Sequence, residues 1–433
     1  MKEKMLPHNI NIFPKILGLI GILLFFIGII FDYPLQNIIS IYVLFLSICL
    51  AWISRKNSLF LVLFIIITYA NYSIVFSEYV VIKSNTLFTK YANTKVSREG
   101  IYVLLLFWSI IVLLLDNIKS FSASLYNNYW QDDVISPLSS MYVLIIDVIL
   151  LLILLYGYKR PTVFGERGAP STFYEYSIIL FILCYYFGGK NNINKYITTF
   201  ILLLFAAQNF IFGGRITGIQ LILVCYFMNI EDKYSLKRIL PLFIIFFLLF
   251  HIIGIYRGNW LRSSFSFTDI LHLMRENLFT LDTSYSSFHT SMTFMLYKNK
   301  VDLNVRLSVF INFIKSIFFG HYSSSKGNLS TITRQYYVHY NGGILPFYFY
   351  FYLGWFGVFL IAIYMVGLFN KFSCILDGES GLKKCLCLYL VISTFRWYLY
   401  SPIQITRGIL IFIICFLFSD LFLHRQKSRG IEI

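Results

Sequence analysis

Charged residues are scarce in this chain. Asp, Glu, Lys and Arg make up 13% of its 433 residues, and the acidic ones number only 20. Stretches such as 240–256 and 403–423 carry too few polar groups to form the outside of a soluble helix, which excludes a soluble globular fold. Cysteine is sparse too, with seven in all. None falls in the long segment 257–343 between apolar runs, so no disulfide framework is expected. Cys385-Leu386-Cys387 lacks the spacing and partners of a zinc site, and no metal or other cofactor is expected. Internal repeats are missing, both the short-period kind and the paired halves of many secondary transporters. The basic N-terminus runs straight into further apolar stretches and reads as a first membrane helix, not a cleaved signal peptide.

What the chain has in abundance is apolar: hydrophobic residues are 58% of it. They recur in runs close to the ~20 residues that a helix needs to span hydrocarbon, where lipid offers no partner to an unpaired amide. The expected fold is all-α, a polytopic membrane helix bundle forming a single membrane domain over 1–433. About twelve spans are expected, near 14–31, 36–53, 59–82, 100–116, 139–158, 173–189, 196–212, 214–230, 239–256, 344–370, 385–400 and 403–423. A long, partly helical outer loop at 257–343 comes late in the chain.

Lys and Arg in connecting segments set the orientation. With the N-terminus inside, Lys2, Lys4, Lys15, Arg55, Lys56, Lys119, Lys190, Lys195, Lys233, Lys237, Arg238, Lys371, Lys383, Lys384, Arg425, Lys427 and Arg429 are cytoplasmic. Fewer fall outside: Lys83, Lys90, Lys95, Arg98, Lys159, Arg160, Arg167 and Arg215. Both termini are therefore expected in the cytoplasm. The same bias, with attraction to anionic lipid, accounts for much of the net charge of +16. No soluble basic domain is present to hold nucleic acid, which is excluded as a partner.

Segment 257–343 is rich in aromatic and aliphatic residues, which argues for order. Val305, Val309, Phe310, Phe313, Ile314 and Ile317 recur at helical spacing over 304–319. That pattern predicts a helix on the membrane surface or across the top of the bundle, with a short extra span as the competing reading. Asn341-Gly342-Gly343 is a turn before the tenth span.

Ionised side chains at membrane depth cost about 2.5–3.5 kcal/mol each and are usually functional or paired. Arg215 follows Gly213-Gly214 at the tight junction of spans seven and eight, and Arg257 closes the ninth. Arg396 lies near the end of the eleventh span and Arg407 about a turn into the twelfth, across the bend Ser401-Pro402. Each either clamps an anion or anchors at headgroups. If the four share one depth they suit a diphosphate, whose oxygens match guanidinium forks without a metal. Asp147 and His251, within spans five and nine, read as proton-relay groups or as ordinary helix-pairing residues. Acid–base candidates in the outer segment are Asp269, Glu276, Asp282, His289, His321 and His339. His339 stands at the mouth of the tenth span, and His321 is the second choice.

These residues resemble those of bacterial polysaccharide polymerases of the Wzy type and, more distantly, O-antigen ligases. The matching pieces are Gly213-Gly214-Arg215, Tyr256-Arg257-Gly258, Arg407-Gly408, and Gly342-Gly343-Ile344-Leu345-Pro346 followed by Gly354-Trp355-Phe356-Gly357. The motifs lie within 200–410, and their order persuades more than any one of them. The resemblance implies an inner-membrane glycosyltransferase that joins repeat units carried on undecaprenyl diphosphate into O-antigen or capsule. It implies that Arg215, Arg257, Arg396 and Arg407 bind the donor diphosphate and that His339 or His321 is the base. In the related ligases a histidine lies closer to the following Gly-x-x-Gly than His339 lies to Gly354. The implied partners are the lipid-linked oligosaccharide and membrane lipid, with a chain-length regulator left open. An aromatic run from Tyr336 to Trp355 suits either sugar stacking or an interfacial belt. A lipid-linked oligosaccharide flippase or exporter, and an O-antigen ligase, are the competing functions.

Overall fold

The computed structural model describes residues 12–32, 36–80, 91, 94–116, 118, 137–159, 168–188, 191–212, 214–230, 266, 268–269, 272, 283–319, 326–339, 342–373 and 381–427. In chain order these form α1 (Ile12–Ile30), α2 (Gln36–Ile53), α3 (Ser58–Val80), α4 (Lys95–Leu114) and α5 (Pro137–Tyr156). A small antiparallel hairpin of β1 (Tyr158–Lys159) and β2 (Ala169–Pro170) follows. Then come α6 (Thr172–Phe187), α7 (Asn192–Ile211) and α8 (Arg215–Cys225), which ends in a π turn at Tyr226–Ile230. The remaining helices are α9 (Thr283–Lys298), α10 (Leu303–Phe319), α11 (Leu329–Arg334), α12 (Leu345–Leu353), α13 (Trp355–Ser373), α14 (Gly381–Ile392), α15 (Thr394–Leu399) and α16 (Ile403–Lys427).

Among the described residues, six helices are long and apolar enough to cross a membrane: Ile12–Ile30, Asn37–Lys56, Ser58–Glu78, Lys95–Leu114, Trp355–Ser373 and Ile403–Leu423. Ser140–Tyr156, Thr172–Phe187 and Arg215–Asn229 are shorter apolar helices. Large apolar side chains point outward from them. α1 exposes Phe13, Leu19, Leu23 and Phe26, α5 exposes Leu144, Val148, Leu152 and Leu155, and α16 exposes Ile414, Leu417, Phe418 and Leu421. Water does not tolerate apolar faces of this extent, and lipid does. The protein is an all-α, multi-pass membrane protein. The expected ninth span, 239–256, lies outside the described residues.

The chain forms two compact units. The first comprises Met1–Phe121, Phe279–Ile375 and Trp397–Ile403. Its centre is α4, buried almost without break from Gly100 to Val112. α1, α2 and α13 pack around α4, and α9 packs on α3, α4, α11 and α12. Helix association in lipid depends on close backbone approach rather than on expelling water. Gly21 and Gly28 of α1 supply it, because a Cβ at either would overlap Ser109 or the Tyr102 ring of α4. Thr94 caps α4 through the Ser97 amide.

The second unit comprises Ser122–Leu278, Leu376–Arg396 and Gln404–Ile433. α5, α6, α7 and α8 pack on one another, and α14 packs on α6 and α8. α16 joins them through Phe412 against Tyr389 and Phe416 against Tyr186 and Phe187. Ser171 and Asn191 cap α6 and α7 with their side-chain oxygens.

Three features differ from the sequence-based expectation. The tenth span is not one helix, because Gly354 (φ 66°) breaks it into α12 and α13. Glycine alone visits that backbone region without strain. The eleventh is also broken, where Ser393 and Thr394 turn their hydroxyls back onto the Leu390 carbonyl. Within 257–343, α9 is buried along most of its length. Its polar composition is deceptive, since Ser287, Thr290 and Ser291 bond the carbonyls of Thr283, Ser286 and Ser287. α10 forms where the 304–319 pattern predicts it, burying Val309, Phe313 and Ser316.

Candidate functional site

The strongest polar cluster lies at one end of the second unit, where α6 and α8 begin, α14 gives way to α15, and α16 begins. Asn209 builds the α7–α8 junction, donating to the Tyr174 hydroxyl (2.8 Å) and to the Phe205 carbonyl (2.8 Å). The Tyr174 hydroxyl reaches Gln208 (2.8 Å), and the Gly214 amide reaches the Asn209 carbonyl (2.6 Å). The reversal passes so near Asn209 that a Cβ at Gly214 would overlap its side chain. Arg215 then opens α8.

Arg396 is 14% exposed and donates from all three guanidinium nitrogens. Nη1 pairs with Glu175 of α6 (2.7 Å), Nη2 meets the Thr217 hydroxyl (2.7 Å), and Nε meets Gln220 Oε1 (3.1 Å). Gln220 is fully buried, and its Nε2 donates to the Ile392 carbonyl (3.0 Å). Thr217 and Gln220, three apart on α8, thus lock the arginine from one helix face. Glu175, in the first turn of α6, suits the positive end of that helix dipole.

Arg407 is half-buried one turn into α16, and it and Arg396 both lie within electrostatic reach of the Tyr176 hydroxyl. The glycine after Arg407 has a reason. A Cβ at Gly408 would overlap the buried Tyr389 hydroxyl and lie 2.7 Å from Cζ. Arg215 is exposed at the first position of α8. It opens the turn of α8 that supplies Thr217. Arg257, His251, Glu276, Asp282 and His321 lie outside the described residues.

Asp147 is buried, with the Thr198 hydroxyl 3.0 Å from both carboxylate oxygens. Asp269 is exposed, and the Ser266 amide and hydroxyl hold its carboxyl below the usual carboxylate range.

The first unit holds other polar groups. His339 is 8% exposed, its Nε2 2.9 Å from the Thr333 hydroxyl. Gly342 and Gly343, at φ 111° and 149°, turn the chain into α12, and the Gly343 amide donates to the Leu399 carbonyl. His289 is buried, its ring 5.2 Å from that of Tyr91. Glu78, 4% exposed, accepts from the hydroxyls of Ser97 (2.5 Å) and Tyr285 (2.9 Å). Lys298 donates to the Tyr350 hydroxyl (3.1 Å), which in turn donates to Glu99. Burial pushes the Lys298 ammonium below the usual lysine range, Glu99 opposes this, and Arg306 adds to it.

Sequence reasoning passed over Glu175, Thr217 and Gln220. Glu175 was open to detection, since it is an acidic residue inside the expected sixth span, the same signal that singled out the arginines. Thr217 and Gln220 carry no such mark. Comparison of this chain with protein-family models, with curated proteins and with solved structures finds no match.

Proposed function

We propose that this protein joins oligosaccharide repeat units carried on undecaprenyl diphosphate into a surface polysaccharide, O-antigen or capsule, at the outer face of the bacterial inner membrane. The reading takes about twelve spans, both termini in the cytoplasm, and 257–343 facing outward. Arg215, Arg257, Arg396 and Arg407 hold the donor diphosphate and offset the charge that develops on it as the glycosidic bond breaks. A base, His339 or His321, takes the proton of the acceptor hydroxyl as its oxygen attacks the donor's anomeric carbon. No metal enters this scheme.

One observation carries the reading. Arg396 and Arg407, from either side of the bend Ser401-Pro402, both stand within electrostatic reach of Tyr176, beside the α8 turn that Arg215 opens. Two guanidiniums grouped beside the one carboxylate of Glu175 leave that end of the unit cationic, which in an apolar protein favours an anionic ligand.

The test is genetic. Arg215→Ala and Arg407→Ala should abolish polymer while leaving the protein's membrane level normal, and the lipid core should then carry single repeat units. Arg→Lys at the same positions should also fail if the contact is forked. Wild-type chain length in either alanine variant refutes the diphosphate clamp. Loss of all surface glycan would point to a flippase, and full-length polymer stranded on undecaprenyl diphosphate to a ligase.

A further inference from the structure

Arg396 is held by two kinds of partner, and they have different jobs. Thr217 and Gln220 are neutral, sit on one face of α8 and fix the guanidinium in place whatever its surroundings. Glu175 comes from a different helix, is 27% exposed, and pairs with Nη1 at 2.7 Å. Its contribution is charge. A largely buried guanidinium in an apolar protein is costly without a counter-ion. A phosphate oxygen can occupy the Glu175 position on Nη1 with the same charge-assisted contact.

We propose that Glu175 is a resident counter-ion that an incoming phosphate-type anion displaces from Arg396 and that returns when the anion leaves. The inference rests on the diphosphate reading above and adds a release device to it. While the site is empty, Glu175 neutralises Arg396. While it is filled, the anion takes over that role, and Thr217 and Gln220 keep the guanidinium aimed. Glu175 therefore competes with the ligand, weakening binding and speeding product departure. It is a positioning residue, acting on the substrate through Arg396.

The experiment uses the full chain in nanodiscs of phosphatidylcholine, titrated with inorganic diphosphate. Glu175→Gln should bind about two- to fivefold more tightly than wild type, the range for losing a partly exposed competing charge. Without ligand it should melt at a lower temperature than wild type, and saturating diphosphate should close that gap. Glu175→Asp, which keeps the charge, should stay nearer to wild type than Glu175→Gln in both measurements. Arg396→Ala should bind more weakly. If Glu175→Gln binds as wild type does or more weakly while Arg396→Ala still loses affinity, the counter-ion role is overturned and the clamp stands. If Arg396→Ala and Arg407→Ala both bind like wild type, the clamp itself fails. A parallel titration in phosphatidylglycerol nanodiscs separates the sources of phosphate. Unchanged affinity there supports a diphosphate ligand, and abolished binding means that a lipid headgroup occupies the site, which overturns the diphosphate version.

Discussion

Replacing Gln220 with leucine tests whether a buried amide sets the position of Arg396. Leucine nearly matches the volume, so packing changes little. Two hydrogen bonds vanish: the 3.0 Å bond to the Ile392 carbonyl and the 3.1 Å bond from Arg396 Nε. A neutral bond is worth about 0.5–1.5 kcal/mol and one to a charged group about 1.5–3. In membranes such values shrink, because the unfolded chain also finds partners. The expected loss is about 1–3 kcal/mol, read as a shifted midpoint in a reversible detergent-unfolding titration. A double-mutant cycle with Arg396→Met isolates the shared part. If Gln220 steadies the guanidinium, the coupling should be about 1–2 kcal/mol. Losses that add to within about 0.5 kcal/mol show the two side chains to be independent and refute the lock.

Gly408→Ala should cost about 1–3 kcal/mol by overpacking against Tyr389. Tyr389→Phe in the same chain should restore only part of it, because ring carbons 2.7 and 2.9 Å from the new methyl remain. Thermal unfolding in detergent measures both, and an undisturbed single variant contradicts the packing. Gly28→Ala should push α1 away from the buried Tyr102 ring and lower the unfolding midpoint, and a midpoint equal to wild type would sink that account. Glu78→Leu removes the acceptor of the Ser97 and Tyr285 hydroxyls, for about 2–6 kcal/mol at 1–3 per buried group that loses its bond. Glu78→Gln should lose less, and the reverse order counts against this reading. Lys298 binds its proton less readily in the folded state, so its share of stability rises as pH climbs from its lowered folded value to the ordinary 10.5. Lys298→Gln should flatten that rise in a pH series of unfolding midpoints, and an unaltered slope would place the depression elsewhere.

Composition alone decided the class of this protein. Little charge and apolar runs of about 20 residues fit helices in lipid, each pairing its backbone groups within itself, and the outward-facing side chains of α1, α5 and α16 agree with that. Local chemistry was legible as well: the turn at Gly342-Gly343, the helix over 304–319, and arginines whose presence in apolar stretches marks them. What tertiary structure decided were the partnerships. Glu175 pairs with a residue more than two hundred positions away, and Gln220 bonds a carbonyl 172 positions on. No periodicity encodes such long-range contacts, since they arise from how helices pack. Burial of α9 escaped for the opposite reason. Its serines and threonines look wet in sequence, but each hydroxyl can satisfy itself on the preceding turn and leave a smooth face for close packing.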